Sequence, residues 1–441
     1  MLTAELPSYV VKEGRRGGAD NVAVIYTTED VKMIRFSNNQ VTVAKAWFSS
    51  AINVMMAMKK RVAIGSIEDL SQGSVRKSVC DLLKIAKATK PNRDYAALPR
   101  GPFKYRASQP SLHSIQGSNL VEYVKSAIDT AMSHGARRVA GTLLFRNAHT
   151  SVETSAAASG DDTISSLEIS VRAFADSEAS GHANSCARSE RDFHPEQAGQ
   201  AAAELARKAV NPIEGKPGRY DVILGPNVFA NLVNDVMSAA SAFNIDAGLS
   251  FLANMLGKKV ASSELTLIDD GTLSDGLNSR AFDDEGISTK RTVVIERGTL
   301  RSYLHNSSTA KKFKSSTTAN AGWIVPQPWN IVVEQGQADD ETLLSQLDDG
   351  IYITNNWYTR FQDYRTGDFS TVCRDGLFRI EGGEITQPLK GLRISENLPR
   401  MLRNTSALSK RRHWIKWWEV QIPTLTPHIL ARDVNLTKAI K

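Results

Sequence analysis

The chain has 441 residues, 41% hydrophobic and 23% charged, with a formal net charge of +7. At roughly 100 to 200 residues per domain, that is length enough for two or three domains with real cores. The longest uncharged apolar run, Ala51 to Met58, stops at Lys59 and Lys60 and falls short of the ~20 residues a membrane helix needs, so a soluble protein is expected.

In the opening segment, basic residues follow an apolar stretch containing Pro7, the reverse of a secretory signal, and a cytoplasmic location is expected. The spacing predicts a helix over Pro7 to Arg16. "NVAVIYT", "VKMIRFSNNQVTVAKAWF" and "SAINVMMAMKKRVAIGSIED" then alternate like strands, with Asn38-Asn39 as a hairpin turn. "LSQGS" introduces a helix from Val75 to Ala88 whose Val79, Leu82, Leu83 and Ile85 share a face, with Cys80 beside it. Residues 89–111 carry four prolines and no period, which predicts a link between modules.

A second module opens with a helix from Asn119 to His134, ended by Gly135. Strands "RRVAGTLLFR", "TSVETSAA" and "SSLEISVRAFA" follow, divided by turns at "NAH" and "SGDD", before an Ala-rich helix entered by Pro195. "NPIEGKPGRY" reads as a second linker. Beyond it "YDVILGP" leads into a helix at residues 227–241, and "TVVIERGTLRSYL" and "GLFRIEGGEITQPL" read as hairpins. The expected class is α+β: an N-terminal α/β module (1–110), a middle α/β module (111–212), both with antiparallel sheets, and a β-rich C-terminal domain (213–441).

Among candidate sites, "FDDEG" sets Asp283, Asp284 and Glu285 in succession. Neighbouring strand residues face opposite ways, so three carboxylates converge on one ion only if the backbone turns, and Gly286 permits that. The expected role is a bend in which one carboxylate takes backbone N–H groups while the others meet solvent or basic partners, with a hard-cation site as the alternative. His182 and Cys186, with His194, could form a soft-metal or nucleophile cluster; on a strand, however, residues four apart stand ~13 Å from each other, too far for one ion. His149 and His305 fall at predicted turns, where surface or capping roles are expected. Cys80, Cys186 and Cys373 lack metal or disulfide spacing and read as reduced thiols. "WIKWWEV" could stack bases, but Trp417 and Trp418 are adjacent and packing is the expected fate. The basic residues are scattered except at "SKRRHWIK", where Lys410, Arg411 and Arg412 form the single patch, so nucleic acid is not the expected partner. Phosphate-loop, dinucleotide and hydrolase-elbow motifs are missing.

Several segments together resemble the TldD/PmbA family of metallopeptidases: "YDVILGP", "GLSFLANMLGKKVASSELTLIDDG", "AFDDEGISTKRTVVIERGTLRSYLHNSSTAKKF", "TGDFS" and "FRIEGGEITQPLKGLRIS". In catalytic TldD-type members an HExxxH motif lies on the helix after the "GP" turn and binds zinc. The matching positions here are Asn234, Asp235 and Ala239, and the family's cysteine ligand near the C-terminus has no counterpart in "WWEVQIPTLTPHILARDVNLT". The chain therefore looks like the TldE (PmbA) branch. That resemblance implies a subunit binding no cofactor of its own, paired with a zinc-carrying TldD-like chain or with a second copy of itself, around a cavity for unfolded or extended peptides. Asp283, Asp284, Glu285 and His305 are then candidates for the cavity rim or peptide contact. Two alternatives are a peptidase with a rearranged site built from Asp235, Asp283, Glu285 and His305, and a regulator associated with gyrase or nucleic acid.

Overall fold

A computed structural model describes residues 5–106 and 117–439. The N-terminal half runs α1 (Leu6–Arg16), β1 (Asn21–Ser37), β2 (Gln40–Met58), β3 (Arg61–Ile67), α2 (Gln72–Ala88), α3 (Gly117–Ser133), β4 (Arg138–Thr154), β5 (Ser159–Phe174), β6 (Ser180–Ala187) and α4 (Pro195–Lys208). Its strands make one sheet in the order β3-β2-β1-β4-β5-β6, antiparallel at every pair. The two expected N-terminal modules thus contribute three strands each to a single sheet, joined where β1 pairs with β4.

Alternation explains how the sheet is covered. On β1, Val22, Val24 and Tyr26 pack with α1 and α2, and Ile34 and Phe36 pack with α3 and α4, all on one face. The opposite face offers Ala23 and Ile25 to other partners. Asn38 and Asn39 both take positive φ (51° and 65°), as a two-residue hairpin requires, and Lys59 and Lys60 do the same (49° and 63°) without the usual turn residues.

Strand lengths differ from the sequence reading. β4 passes straight through Asn147-Ala148-His149, and Gly160-Asp161-Asp162 lie inside β5; the actual reversal is at residues 155–158. The polar residues there are no breakers because both flanks of β4 are hydrogen-bonded, to β1 and β5, and ladder pairing outweighs local turn preference. The expected link also does more than connect: Tyr95 and Leu98 are buried against Ala23 and Met55. Residues 107–111 of that link lie outside the described residues.

The C-terminal half continues with β7 (Ile213–Glu214), β8 (Gly218–Leu224), α5 (Pro226–Ala239), α6 (Ala242–Asp246), β9 (Leu267–Asp270), β10 (Arg291–Glu296), β11 (Thr299–Leu300), α7 (Ser307–Lys312), β12 (Ile331–Val333), α8 (Asp340–Ser345), β13 (Asp349–Asp363), β14 (Asp368–Glu381), β15 (Glu384–Lys390), β16 (Leu392–Asn397), α9 (Leu398–Arg403), β17 (Thr405–Leu408), β18 (His413–Trp417), β19 (Val420–Thr426) and β20 (Ile429–Lys438). One sheet runs β11-β10-β9-β12-β19-β18. The other runs β13-β8-β20-β16-β14-β15-β7, and because β13 also pairs with β14, its first five strands close on themselves. The expected α+β class is what is observed. No helix of the described residues is long and apolar enough to cross a membrane.

α5 lies between these sheets. Pro226 occupies its first turn after Gly225 in extended conformation, and Val228, Phe229, Leu232, Val233, Val236 and Met237 are all buried. A helix apolar on most sides is one covered on most sides. This burial holds Asn234, Asp235 and Ala239 in place on the helix.

Candidate functional site

On α5, Asn234 is fully engaged. Its Nδ2 donates to Ala230 O (2.9 Å), Ile422 O (3.2 Å) and Thr424 Oγ1 (2.9 Å), and its Oδ1 accepts from Ile422 N (2.8 Å). The side chain thus stitches α5 to β19. Asn231, one turn earlier, donates to Glu419 O (2.9 Å) and accepts from Asn356 Nδ2 (3.0 Å) and Thr359 Oγ1 (2.6 Å). Burial, and then the nearby Glu419 charge, pushes the Asp235 carboxyl up to about 7. Ala239 is buried and brings only a methyl group. A zinc ion, which takes imidazole, thiolate or carboxylate, would find one carboxylate among these three positions, so they do not fit it.

The acidic segment forms a tight bend between Phe282 and Ser288, which pair as an isolated bridge. Gly286 N–H donates to Asp283 O (2.9 Å), with Gly286 at φ 79°. Asp283 accepts from the N–H groups of Glu285 (3.0 Å), Ile287 (2.9 Å) and Ala321 (3.1 Å). That is the expected bend. Of the other two, half-buried Asp284 has a basic neighbour in Arg280, as expected, and Glu285 departs from the expectation. Glu285 is buried and accepts from Ser307 N (3.0 Å) and its hydroxyl at the start of α7, where unpaired N–H groups favour an anion. Asp284 is pushed up to about 6 by burial and drawn back by Arg280. Burial and mutual repulsion raise Asp283 and Glu285 as well.

His305 corrects another expectation. It is 2% exposed rather than superficial, with Nδ1 3.3 Å from Thr309 Oγ1 and its ring between Tyr303 and Phe313. Burial lowers it to about 4. Its segment is tied to the end of α5 through Leu304, which donates to Ala240 O (2.9 Å) and accepts from Ala242 N (3.0 Å). A cavity of ≈ 560 Å³ opens beside the bend, lined by Glu285, Asn306, Thr309, Lys312, Tyr95 and Trp323 among others. Glu285 lines this cavity, and Asp283, Asp284 and His305 are not among its lining residues.

The alternative quartet is not assembled. Among the described residues no three of Asp235, Asp283, Glu285 and His305 bring ligand atoms within 4.8 Å of one another. His182, Cys186 and His194 are likewise dispersed: His182 Nε2 meets Ser170 Oγ (2.8 Å), and Cys186 Sγ donates to Trp414 O (3.3 Å). His149, expected at a turn, is within β4, with Nδ1 3.0 Å from Thr163 Oγ1. Trp417 packs on His182 at 4.6 Å, while Trp418 is 51% exposed. The sequence reading missed the engaged amides of Asn231 and Asn356, and also a meeting of Asp340, His413 and His428. Neither carries a local spacing by which it could have been found.

Comparison with known proteins places residues 217–438 in the family described as PmbA/TldA metallopeptidase C-terminal domain. The chain is 30% identical over 219 residues to a protein named metalloprotease from Methanothermobacter thermautotrophicus, an alignment covering 48% of each. It is 23% identical over 395 residues to the metalloprotease PmbA homolog of Haemophilus influenzae, covering 86% of this chain and 83% of that one. In several such alignments the chain spans about half the length of the curated relatives it matches. Among solved structures, TldE from Thermococcus kodakarensis superposes with a TM-score of 0.85 at 20% identity, over 98% of this chain and 100% of the other. At that identity the likeness is one of fold.

Proposed function

The chain belongs to the PmbA/TldD family, and on that premise we propose that it is a TldE-like, non-catalytic subunit of a metallopeptidase whose zinc is carried by a partner chain bearing HExxxH. The observation that carries this reading is the state of Asn234: both ends of its amide are spent on β19, beside Ala239, which has nothing to offer a metal. α5 acts here as a structural strut. The partner supplies the chemistry, activating water on its own zinc.

This chain's contribution is then to wall the chamber and hold an extended peptide. Strand addition suits that task, since main-chain hydrogen bonds recognise any unfolded segment. An open edge supports it. β3 covers β2 only from Ile52 to Met58, leaving residues 40–51 paired on one side among the described residues, and Trp47 and Phe48 are exposed there.

The test is co-expression with an HExxxH-bearing chain of the same family. The expected result is a stable complex that cleaves unfolded peptides and stops when chelated, while this chain alone is inert. Chelator-sensitive cleavage by the isolated chain, abolished by Asp235→Asn, would overturn the proposal.

A further inference from the structure

A second locus, independent of the reading of α5, gathers metal-ligating side chains from three places in the C-terminal half. Asp340 opens α8, His413 opens β18, and His428 lies in the reversal between β19 and β20. Their approach is fixed by backbone. Ala338 bridges Ser409, Lys410 N–H donates to Ala338 O (2.7 Å), Ser409 N–H donates to His428 O (2.9 Å), and His413 pairs with Thr426.

One ligand atom from each residue lies within 4.8 Å of the other two. Asp340 Oδ1 and His428 Nδ1 are 3.0 Å apart. The residues are half-buried, yet Asp340 Oδ1, His413 Nε2 and His428 Nδ1 themselves are shut off from solvent, and none has a hydrogen-bond partner of acceptable geometry. When both imidazoles are neutral with their protons on the far nitrogens, three buried lone pairs face one another, which is costly in an ordinary protein interior. A cation removes that cost. Imidazole nitrogen and carboxylate oxygen bind zinc at about 2.0–2.2 Å, which at a tetrahedral angle sets ligand atoms about 3.4 Å apart, inside the 4.8 Å that bounds these three atoms.

We propose that Asp340, His413 and His428 bind a divalent first-row transition ion, zinc foremost, which pins α8 to the β18–β19 hairpin. Two imidazoles and one carboxylate suit zinc, whereas calcium or magnesium takes oxygen ligands throughout. The surroundings agree. Tyr352 Oη lies 3.1 Å from His428 Nε2, placed to accept that nitrogen's proton and so direct Nδ1 to the ion. This zinc is distinct from the one assigned to the partner's HExxxH, and it lies on residues outside the matched motif positions.

The experiment titrates zinc into the metal-stripped full chain by calorimetry, and reads cobalt absorption as a probe that needs no variant. One equivalent is expected to bind, with cobalt bands of low coordination number and a rise in melting temperature. His413→Ala, His428→Ala and Asp340→Ala should each weaken binding at least about 100-fold, and Tyr352→Phe about 10-fold; circular dichroism checks that the variants fold. Substoichiometric binding, or zinc retained in the His413→Ala/His428→Ala double variant, overturns the site. If retained zinc is then lost on Asp235→Asn, the zinc-free reading of α5 falls too; if it survives that change, only this inference falls.

Discussion

Asp235 shows how a single side chain reports its surroundings. Its carboxyl is pushed up to about 7, well above the ordinary ~3.9, first by burial and then by Glu419. A carboxyl raised on folding contributes stability that is fully present below about pH 4 and lost as pH rises through about 7. Asp235→Asn keeps the shape and removes the titration. The variant should therefore be more stable than the parent by about 4 kcal/mol at pH 8 and no different near pH 4, read from denaturant unfolding at both values. Comparing the two proteins at one pH matters, because His182 and His305, each lowered to about 4 by burial, act with the opposite sign between about pH 6.5 and 4. At this scale the sequence indicated, from Gly286, that one carboxylate of the segment would organise the bend; that it is Asp283 is decided by the structure. The sequence could not tell that Glu285 would turn inward, since its partner Ser307 stands at the start of a separate helix.

At the scale of elements, the bend at 282–288 is also the joint between the two halves. Phe282 and Ala281 pack on Ile25 and Val152 of the N-terminal sheet, Tyr105 Oη–H donates to Gly286 O (2.6 Å), and Ala281 N–H donates to Asp162 Oδ2 (2.8 Å). Gly286 is constrained twice, by its positive φ and because a Cβ there would stand 2.7 Å from Ala158 Cβ. Gly286→Ala should cost about 1–3 kcal/mol. Faster amide exchange in residues 155–158 and 282–288 than in the distant α3 would show that the loss is local to this joint. Hairpins announced by turn residues were legible: Asn38-Asn39, Arg297-Gly298 and Gly382-Gly383 all turn where expected. Continuous long strands were not. β1 reads as two pieces because Thr27 to Asp30 break the apolar alternation, but pairing on both sides carries the strand through.

For the whole molecule, a second joint lies between β5–β6 and β13–β14. Buried Asp375 accepts from Arg172 Nε (2.5 Å), Ser180 Oγ (2.7 Å) and Asn355 Nδ2 (3.1 Å), and Phe378 of β14 enters the core beneath α3 and α4. Removing one partner of a buried ion pair leaves the other charge uncompensated. Asp375→Ala should cost about 3–5 kcal/mol and divide thermal unfolding into two calorimetric transitions; a single unshifted transition would show that this joint does not couple the halves. Composition, apolar period and turn residues by themselves determined the class, most helices, the hairpins and the family resemblance, because each is written in residues near one another along the chain. Only the tertiary structure decided that two expected modules share one sheet, that Asn234 braces β19, and that Asp340 meets His413 and His428. Those are pairings of residues 73 to 190 positions apart or between distant strands, brought together by closure of sheets around a common core, and no local pattern encodes such a meeting.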